Sequence, residues 1–89
     1  MSLTTVHLRD EACALALDSS FLSRETRAAI QRAPENPSIL HVRDVVCTEA
    51  DAKDLATFFG SLADAGEVLG LPVAAVCAEA EDAARHAML

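Results

Sequence analysis

The sequence predicts a small α/β domain in which an N-terminal β-hairpin is followed by a mainly parallel sheet, with elements in the order β-β-α-β-α-β-α. Short alternating runs at the start are typical of paired strands, and helix-capping residues precede two amphipathic segments. Two further apolar runs lie between and after these segments. Because strands that alternate with helices usually pair in parallel through right-handed crossovers, we expect a parallel sheet. The length of 89 residues predicts a single domain over residues 1–89.

The first half of the chain carries the predicted hairpin and one helix. Residues 3–9 alternate between apolar and polar, and residues 13–17 alternate again after a short polar break. Capping side chains at 18–20 precede apolar positions at helical spacing, which predicts a helix that ends before Pro34. Two prolines within residues 34–37 then predict a loop, since each removes a backbone donor and restricts its neighbour.

The second half predicts two further strand–helix units. Residues 38–43 are short, rich in apolar residues and bounded by the proline loop, which favours a strand. Thr48, with acidic residues after it, is a capping signal for a helix whose apolar positions recur from Leu55 to Leu69. Residues 73–77 form a continuous apolar run that is typical of a buried central strand, and residues 79–89 form an Ala-rich closing helix.

The composition is both acidic and apolar, with a formal net charge of −7 and 52% hydrophobic residues. Residues 48–89 carry eight acids and only two bases. Because an acidic surface repels phosphates, we expect no binding to nucleic acid or to a membrane. A small, apolar domain gains stability by burying surface against another chain, which predicts a homo-oligomer or a protein partner.

The three cysteines, Cys13, Cys47 and Cys77, are widely spaced and lie in apolar runs. This pattern predicts buried thiols in a reducing compartment and not a disulfide framework. The first residues lack a signal-peptide pattern, and no run approaches the about 20 apolar residues of a membrane span, so we expect a cytoplasmic protein. No pair of histidines or cysteines has the spacing of a metal site, so we expect no metal.

Three stretches of the chain resemble the front part of the crotonase (enoyl-CoA hydratase/isomerase) superfamily. LSRE at residues 22–25 is similar to that family's helix opening, Leu-Ser-x-Glu. VCTEADAKDL at residues 46–55 is similar to its Phe-Cys-x-Gly-Ala-Asp-Leu-Lys-Asp-Leu segment, and PVAAVCA at residues 72–78 looks like its Pro-x-x-Ala-Ala-Val-Asn-Gly strand. The resemblance covers nearly the whole chain and implies a shortened, crotonase-like front half.

The resemblance also implies where an oxyanion hole for an acyl-CoA thioester would lie. Ala50 matches the first of the family's two amide positions, but Glu49 replaces the glycine before it. The second, Gly-rich position is occupied by Asp82 or Ala83. Because a carboxylate opposes a developing oxyanion, the resemblance implies a degenerate site with no catalytic residue. It implies no bound cofactor, and a CoA thioester is the one ligand that it suggests.

An apolar stripe follows Thr48 on the predicted helix and consists of Leu55, Phe58, Phe59 and Leu62. At this spacing the four side chains form either part of the core or a partner-docking face.

These observations favour a non-catalytic, crotonase-like interaction or assembly module, which the resemblance alone links to acyl-CoA or polyketide metabolism. One alternative is an acyl-thioester-binding enzyme component whose site is completed across a subunit interface. A second alternative is a regulatory domain similar to the anti-sigma-factor antagonists (the STAS fold). Those proteins carry a switch serine at a helix start, where this chain has Glu49, Ala50 and Asp51.

Overall fold

The predicted parallel sheet is wrong, because the computed structural model, which describes residues 2–89, contains two antiparallel strands and four helices. The elements follow the order β-α-α-β-α-α, in place of the predicted β-β-α-β-α-β-α and of a crotonase-like front half. They are β1 (Leu3–Arg9), α1 (Asp10–Leu17), α2 (Arg24–Arg32), β2 (Val42–Thr48), α3 (Glu49–Leu69) and α4 (Val73–Ala87).

β1 and β2 pair with each other in the sheet, although α1 and α2 lie between them in the sequence. The strands run antiparallel, with Leu3 opposite Thr48 and Val6 opposite Val45. On one face Val6, Leu8 and Val45 are buried. α3 contacts both strands, whereas α4 contacts β1 but not β2 within the described residues. A two-stranded sheet is marginal alone, so these helices supply the buried partner that it needs.

The predicted N-terminal hairpin is wrong in its second strand. Residues 13–17 belong to α1, whose buried residues are Ala12, Cys13 and Ala16. This spacing of three and four residues is that of a helix face, and alanine is the best helix former. Asp10 and Glu11 lie in the first turn, where acidic side chains favour the helix dipole. The polar pair is therefore a helix start and not a β-turn.

The predicted strand over 38–43 is displaced along the chain. The Asn36 Oδ1 atom accepts hydrogen bonds from the backbone N–H groups of Ser38 and Ile39, which curls this segment into a turn. His41 has a φ of 63°, a left-handed conformation that a strand residue does not adopt. β2 therefore begins only at Val42, and it carries the Val45–Cys47 apolar run.

The predicted strand over 73–77 and helix over 79–89 are one helix, α4. Its buried residues, Cys77, Ala80 and Ala84, recur at helical spacing across the predicted boundary. A short apolar run cannot be assigned to strand or helix by periodicity alone. Here the high helix propensity of the alanines favours a helix. In the described part of the chain, every helix is too short or too polar to span a bilayer.

Both helices predicted from capping residues are present, but the first of them begins later than predicted. The cap of α2 is Ser23 and not a residue of 18–20, and the Ser23 side chain accepts from the backbone N–H of Thr26. α3 begins after Thr48, which forms a reciprocal capping box with Asp51. α3 continues through both of its glycines and ends at Gly70, whose left-handed φ of 69° suits a residue without a side chain.

The two glycines inside α3 have opposite environments, and we expect opposite effects of alanine. A Cβ at Gly66 would lie 3.3 Å from the Cα of Ala74, so Gly66→Ala pushes α3 from the backbone of α4. A Cβ at Gly60 would meet only the carboxylate end of Glu81, which can rotate away. We expect Gly66→Ala to lower the free energy of unfolding by about 1 kcal/mol or more, and Gly60→Ala to raise it by about 0.5–1 kcal/mol.

Urea denaturation of both variants measures this difference. If Gly66→Ala stabilised the protein as much as Gly60→Ala, the close approach of α3 and α4 at Ala74 would be contradicted.

The exposed face of the sheet carries an ordered carboxylate. Asp44 Oδ1 accepts a hydrogen bond from Asn36 Nδ2 (2.9 Å) and lies 2.8 Å from His7 Nδ1. The hydrogen bonds from Asn36 and then from His7 hold the pKa of Asp44 below its usual value of 3.8. Because the folded pKa is lowered, the ionised Asp44 stabilises the fold above pH 3.8, and this contribution disappears as the pH falls through the folded pKa.

We therefore expect an NMR titration of the Asp44 carboxyl to give a midpoint below 3.8. In Asn36→Ala the midpoint should move upwards, because the largest cause of the shift is removed. A midpoint at or above 3.8 in the wild-type protein would contradict the hydrogen-bonded arrangement.

Candidate functional site

The N-termini of α2 and α3 meet at a junction that side-chain hydrogen bonds hold together. The two caps, Ser23 and Thr48, each satisfy a backbone donor of their own helix. Asp54 from α3 reaches across to α2, where its Oδ2 atom accepts a hydrogen bond from the backbone N–H of Ser23 (3.1 Å). The first turn of α2 is therefore fixed by a side chain of α3.

A buried hydroxyl lies at the centre of this junction. Thr26 is fully buried, and its Oγ1 atom lies 3.0 Å from Asp51 Oδ1, 3.0 Å from Asp54 Oδ2 and 2.8 Å from Ser23 Oγ. The hydroxyl has one proton, so the two carboxylates share it while Ser23 donates to the Thr26 oxygen. The cluster joins two helices through charge-assisted hydrogen bonds, which are the stronger kind.

A groove runs along α3 from this junction. It consists of a cavity of about 600 Å³ beside the helix caps and a neighbouring cavity of about 360 Å³, and both are lined by Phe21, Asp54 and Thr57. We call the two cavities together the Phe21 groove. Its other lining residues are Leu22, Ser23, Ala50, Asp51, Lys53, Phe58, Ser61 and Leu62.

Phe21 is the most exposed aromatic residue of the chain, with 90% of its surface accessible. The turn that carries it is ordered, since the backbone N–H of Phe21 donates to Ser19 Oγ (3.0 Å) and Arg27 donates to the Ser19 carbonyl. The next residue, Leu22, is buried in the core. Leu22 is thus anchored in the core, whereas the side chain of Phe21 is exposed to solvent beside α3.

The predicted apolar stripe divides between the core and this groove. Leu55 and Phe59 are fully buried, whereas Phe58 and Leu62 are partly buried and line the smaller cavity. The rings of Phe58 and Phe59 meet edge to face, with centroids 5.1 Å apart. Phe58 therefore connects the groove to the core.

The residues that the crotonase resemblance singled out lie in separate places. Glu49 and Ala50 are exposed in the first turn of α3, and Ala50 lines the Phe21 groove. Asp82 and Ala83 lie in the middle of α4, where backbone N–H groups belong to the helix. Ala83 lines a different, small cavity beside β1. A degenerate oxyanion hole at these residues stays a prediction.

The groove offers apolar contact, carboxylate oxygens and the exposed Lys53 side chain, but no activated nucleophile. Burial raises the pKa of all three cysteine thiols, which lowers their reactivity, and these cysteines do not line the groove. The contact between His7 and Asp44 lies on the sheet and not in the groove. Across residues 2–89, no three histidine, cysteine or acidic side chains meet as metal ligands would.

The sequence analysis did not single out Phe21 or Thr26 as site residues. A signal existed for Thr26, because Ser23 and Thr26 are three residues apart, as are Asp51 and Asp54, and this spacing puts each pair on one helix face. Phe21 carried no such signal, because it lies outside the apolar positions at helical spacing. Comparison with protein-family models, with curated proteins and with solved structures finds no match to this chain.

Proposed function

We propose that this domain is a non-catalytic protein-interaction module whose Phe21 groove binds an apolar segment of a partner protein that also carries a basic residue. The observation that carries the proposal is the placement of Phe21, an exposed aromatic on an ordered turn beside Phe58 and Leu62. Aromatic residues dominate the energy of protein interfaces, and an ordered turn keeps the entropy cost of binding small.

The groove is lined by two aspartates and one lysine, Lys53, and its net negative charge favours a basic residue in the partner. Asp54 lies in the wall that both cavities share, and Asp51 lines the larger one. Their orientation is fixed by Thr26 and by the helix caps, so the two side chains lose little conformational entropy when a cation binds. The net charge of −7 adds a long-range attraction for basic segments.

The non-catalytic character is supported by the contents of the groove, which are apolar side chains, hydroxyls, the exposed Lys53 and carboxylates engaged in capping. A link to acyl-thioester metabolism rests on the crotonase resemblance alone. The buried thiols of Cys13, Cys47 and Cys77 are unpaired, which suits a reducing compartment, and we place the module in the cytoplasm.

Selection from a displayed library of random dodecapeptides tests the proposal. We expect binders of the wild-type domain to combine a Leu, Ile or Phe with a Lys or Arg, and to be lost on Phe21→Ala. Because Phe21 is 90% exposed, its removal should leave the unfolding free energy unchanged within about 0.5 kcal/mol.

The matched control is Leu40→Ala, which truncates an equally exposed residue, 85% accessible, outside the groove. This variant should retain the binders. Peptides that survive Phe21→Ala, or a selection that enriches no common pattern, would contradict the proposal.

A further inference from the structure

A second apolar surface lies at the turn between α3 and α4. Four large apolar residues within six positions are exposed there, with accessible fractions of 85%, 70%, 47% and 40%. We call this surface the hairpin tip, and it consists of Val68, Leu69, Leu71 and Val73. None of these residues lines the Phe21 groove, so the proposed partner site does not account for them.

The hairpin tip is held in a fixed shape. The backbone N–H of Leu71 donates to the carbonyl of Gly66 (2.8 Å), which closes the end of α3 around the left-handed Gly70. Gly66 lies against Ala74, so the two helices approach closely just behind the tip. The apolar side chains are therefore presented by a turn that its backbone hydrogen bonds and helix packing keep ordered.

The charge distribution indicates what covers this surface. Residues 68–78 contain no charged residue, although the protein carries a net charge of −7. Two copies of so acidic a protein repel one another across most of their surface. At the uncharged hairpin tip, however, two copies can make contact without burying a charge. A charged partner would have no opposite charge to pair with at this surface.

We propose that the hairpin tip is a contact between two copies of this chain, related by a two-fold axis. In such a contact each copy contributes the same patch, so the apolar area that leaves water is twice that of one tip. Glu67 is exposed next to Val68 and lies at the rim of the contact, whereas Glu79 is farther along α4 and is paired with Arg9. Repulsion between the Glu67 side chains of the two copies, with that of the rest of the surface, opposes dimerisation and is screened by salt.

Sedimentation equilibrium of the full chain over a range of protein concentrations tests this proposal. We expect a monomer–dimer equilibrium in which the dimer becomes tighter as the salt concentration rises. Leu69→Asp should weaken the dimer at least about tenfold, because a charge is placed in the apolar contact. Since Leu69 is 70% exposed, circular dichroism should show an intact fold in this variant.

Two controls separate this surface from others. Leu40→Asp adds the same charge at another exposed leucine, and Phe21→Asp adds it at the groove. Both variants should still dimerise. A monomer at all concentrations, a dimer that Leu69→Asp leaves intact, or a dimer that salt weakens would overturn the proposal, and none of these results bears on peptide binding by the groove.

Discussion

We expect Phe59→Ala to lower the free energy of unfolding by about 3–5 kcal/mol, the range for truncating a buried phenylalanine. Phe59 is completely buried and is the largest such side chain of the protein. Its removal leaves a cavity in the close-packed core cluster to which Phe59 belongs. The free energy of unfolding of a domain of this size is about 5–13 kcal/mol, so the variant should be close to unfolding at 37 °C. Guanidinium denaturation followed by circular dichroism measures the change.

Phe58→Ala is the matched control for this prediction, since it makes the same truncation one residue away. Phe58 is partly buried and lines the Phe21 groove, so we expect it to cost less than half as much stability as Phe59→Ala. Phe58→Ala should instead weaken peptide binding in the groove. Equal costs for the two truncations would contradict the division of the stripe into a core part and a groove part.

We expect Thr26→Val to lower the free energy of unfolding by about 2–3 kcal/mol, because it replaces a buried hydroxyl with a methyl group of similar size. Asp51 and Asp54 both lose the donor that lies 3.0 Å from each of them, and two like charges then face an apolar group. The residue is fully buried, so water cannot take the place of the hydroxyl without a rearrangement.

Thr26→Ser separates the hydroxyl from the methyl group. Serine keeps the donor and removes the methyl, so its cost should be about 1 kcal/mol, the contribution of one methyl-sized group. Urea denaturation of the two variants and the wild-type protein provides the comparison. If valine were tolerated better than serine, the hydrogen-bonded cluster would not be what joins α2 to α3.

The elements that were predicted correctly from the sequence are those whose boundaries are marked by capping residues or by proline. Thr48 and Asp51 form a capping box in a local sequence pattern, and this fixes the start of α3 without reference to the rest of the fold. The loop after Pro34 is also predicted by local sequence, because proline restricts its own backbone conformation and that of the preceding residue.

The elements that sequence reasoning missed depend on nonlocal pairing or on ambiguous apolar runs. β1 pairs with β2 across the loops and helices of residues 10–41, and no local pattern encodes that partnership. Without it, the apolar run from Val73 to Cys77 suggested a strand to fill the sheet. The burial of Cys77, Ala80 and Ala84 instead follows from the packing of α4 against α3 and β1.

The candidate site was partly visible in the sequence. The stripe containing Phe58 and Leu62 was identified, but whether each residue faced the core or solvent depended on the position of the turn that holds Phe21. The sharing of one Thr26 hydroxyl between Asp51 and Asp54 required the relative placement of α2 and α3, which only the tertiary structure provides.

We propose Phe21 as the residue on which partner binding by this domain depends. The most direct test is the dissociation constant of one selected apolar, basic peptide for the wild-type domain, for Phe21→Ala and for Leu40→Ala, measured by isothermal titration. We expect Phe21→Ala to weaken binding by about 2 kcal/mol, roughly thirtyfold, with Leu40→Ala unchanged. Equal affinities for the wild-type domain and Phe21→Ala would contradict the claim.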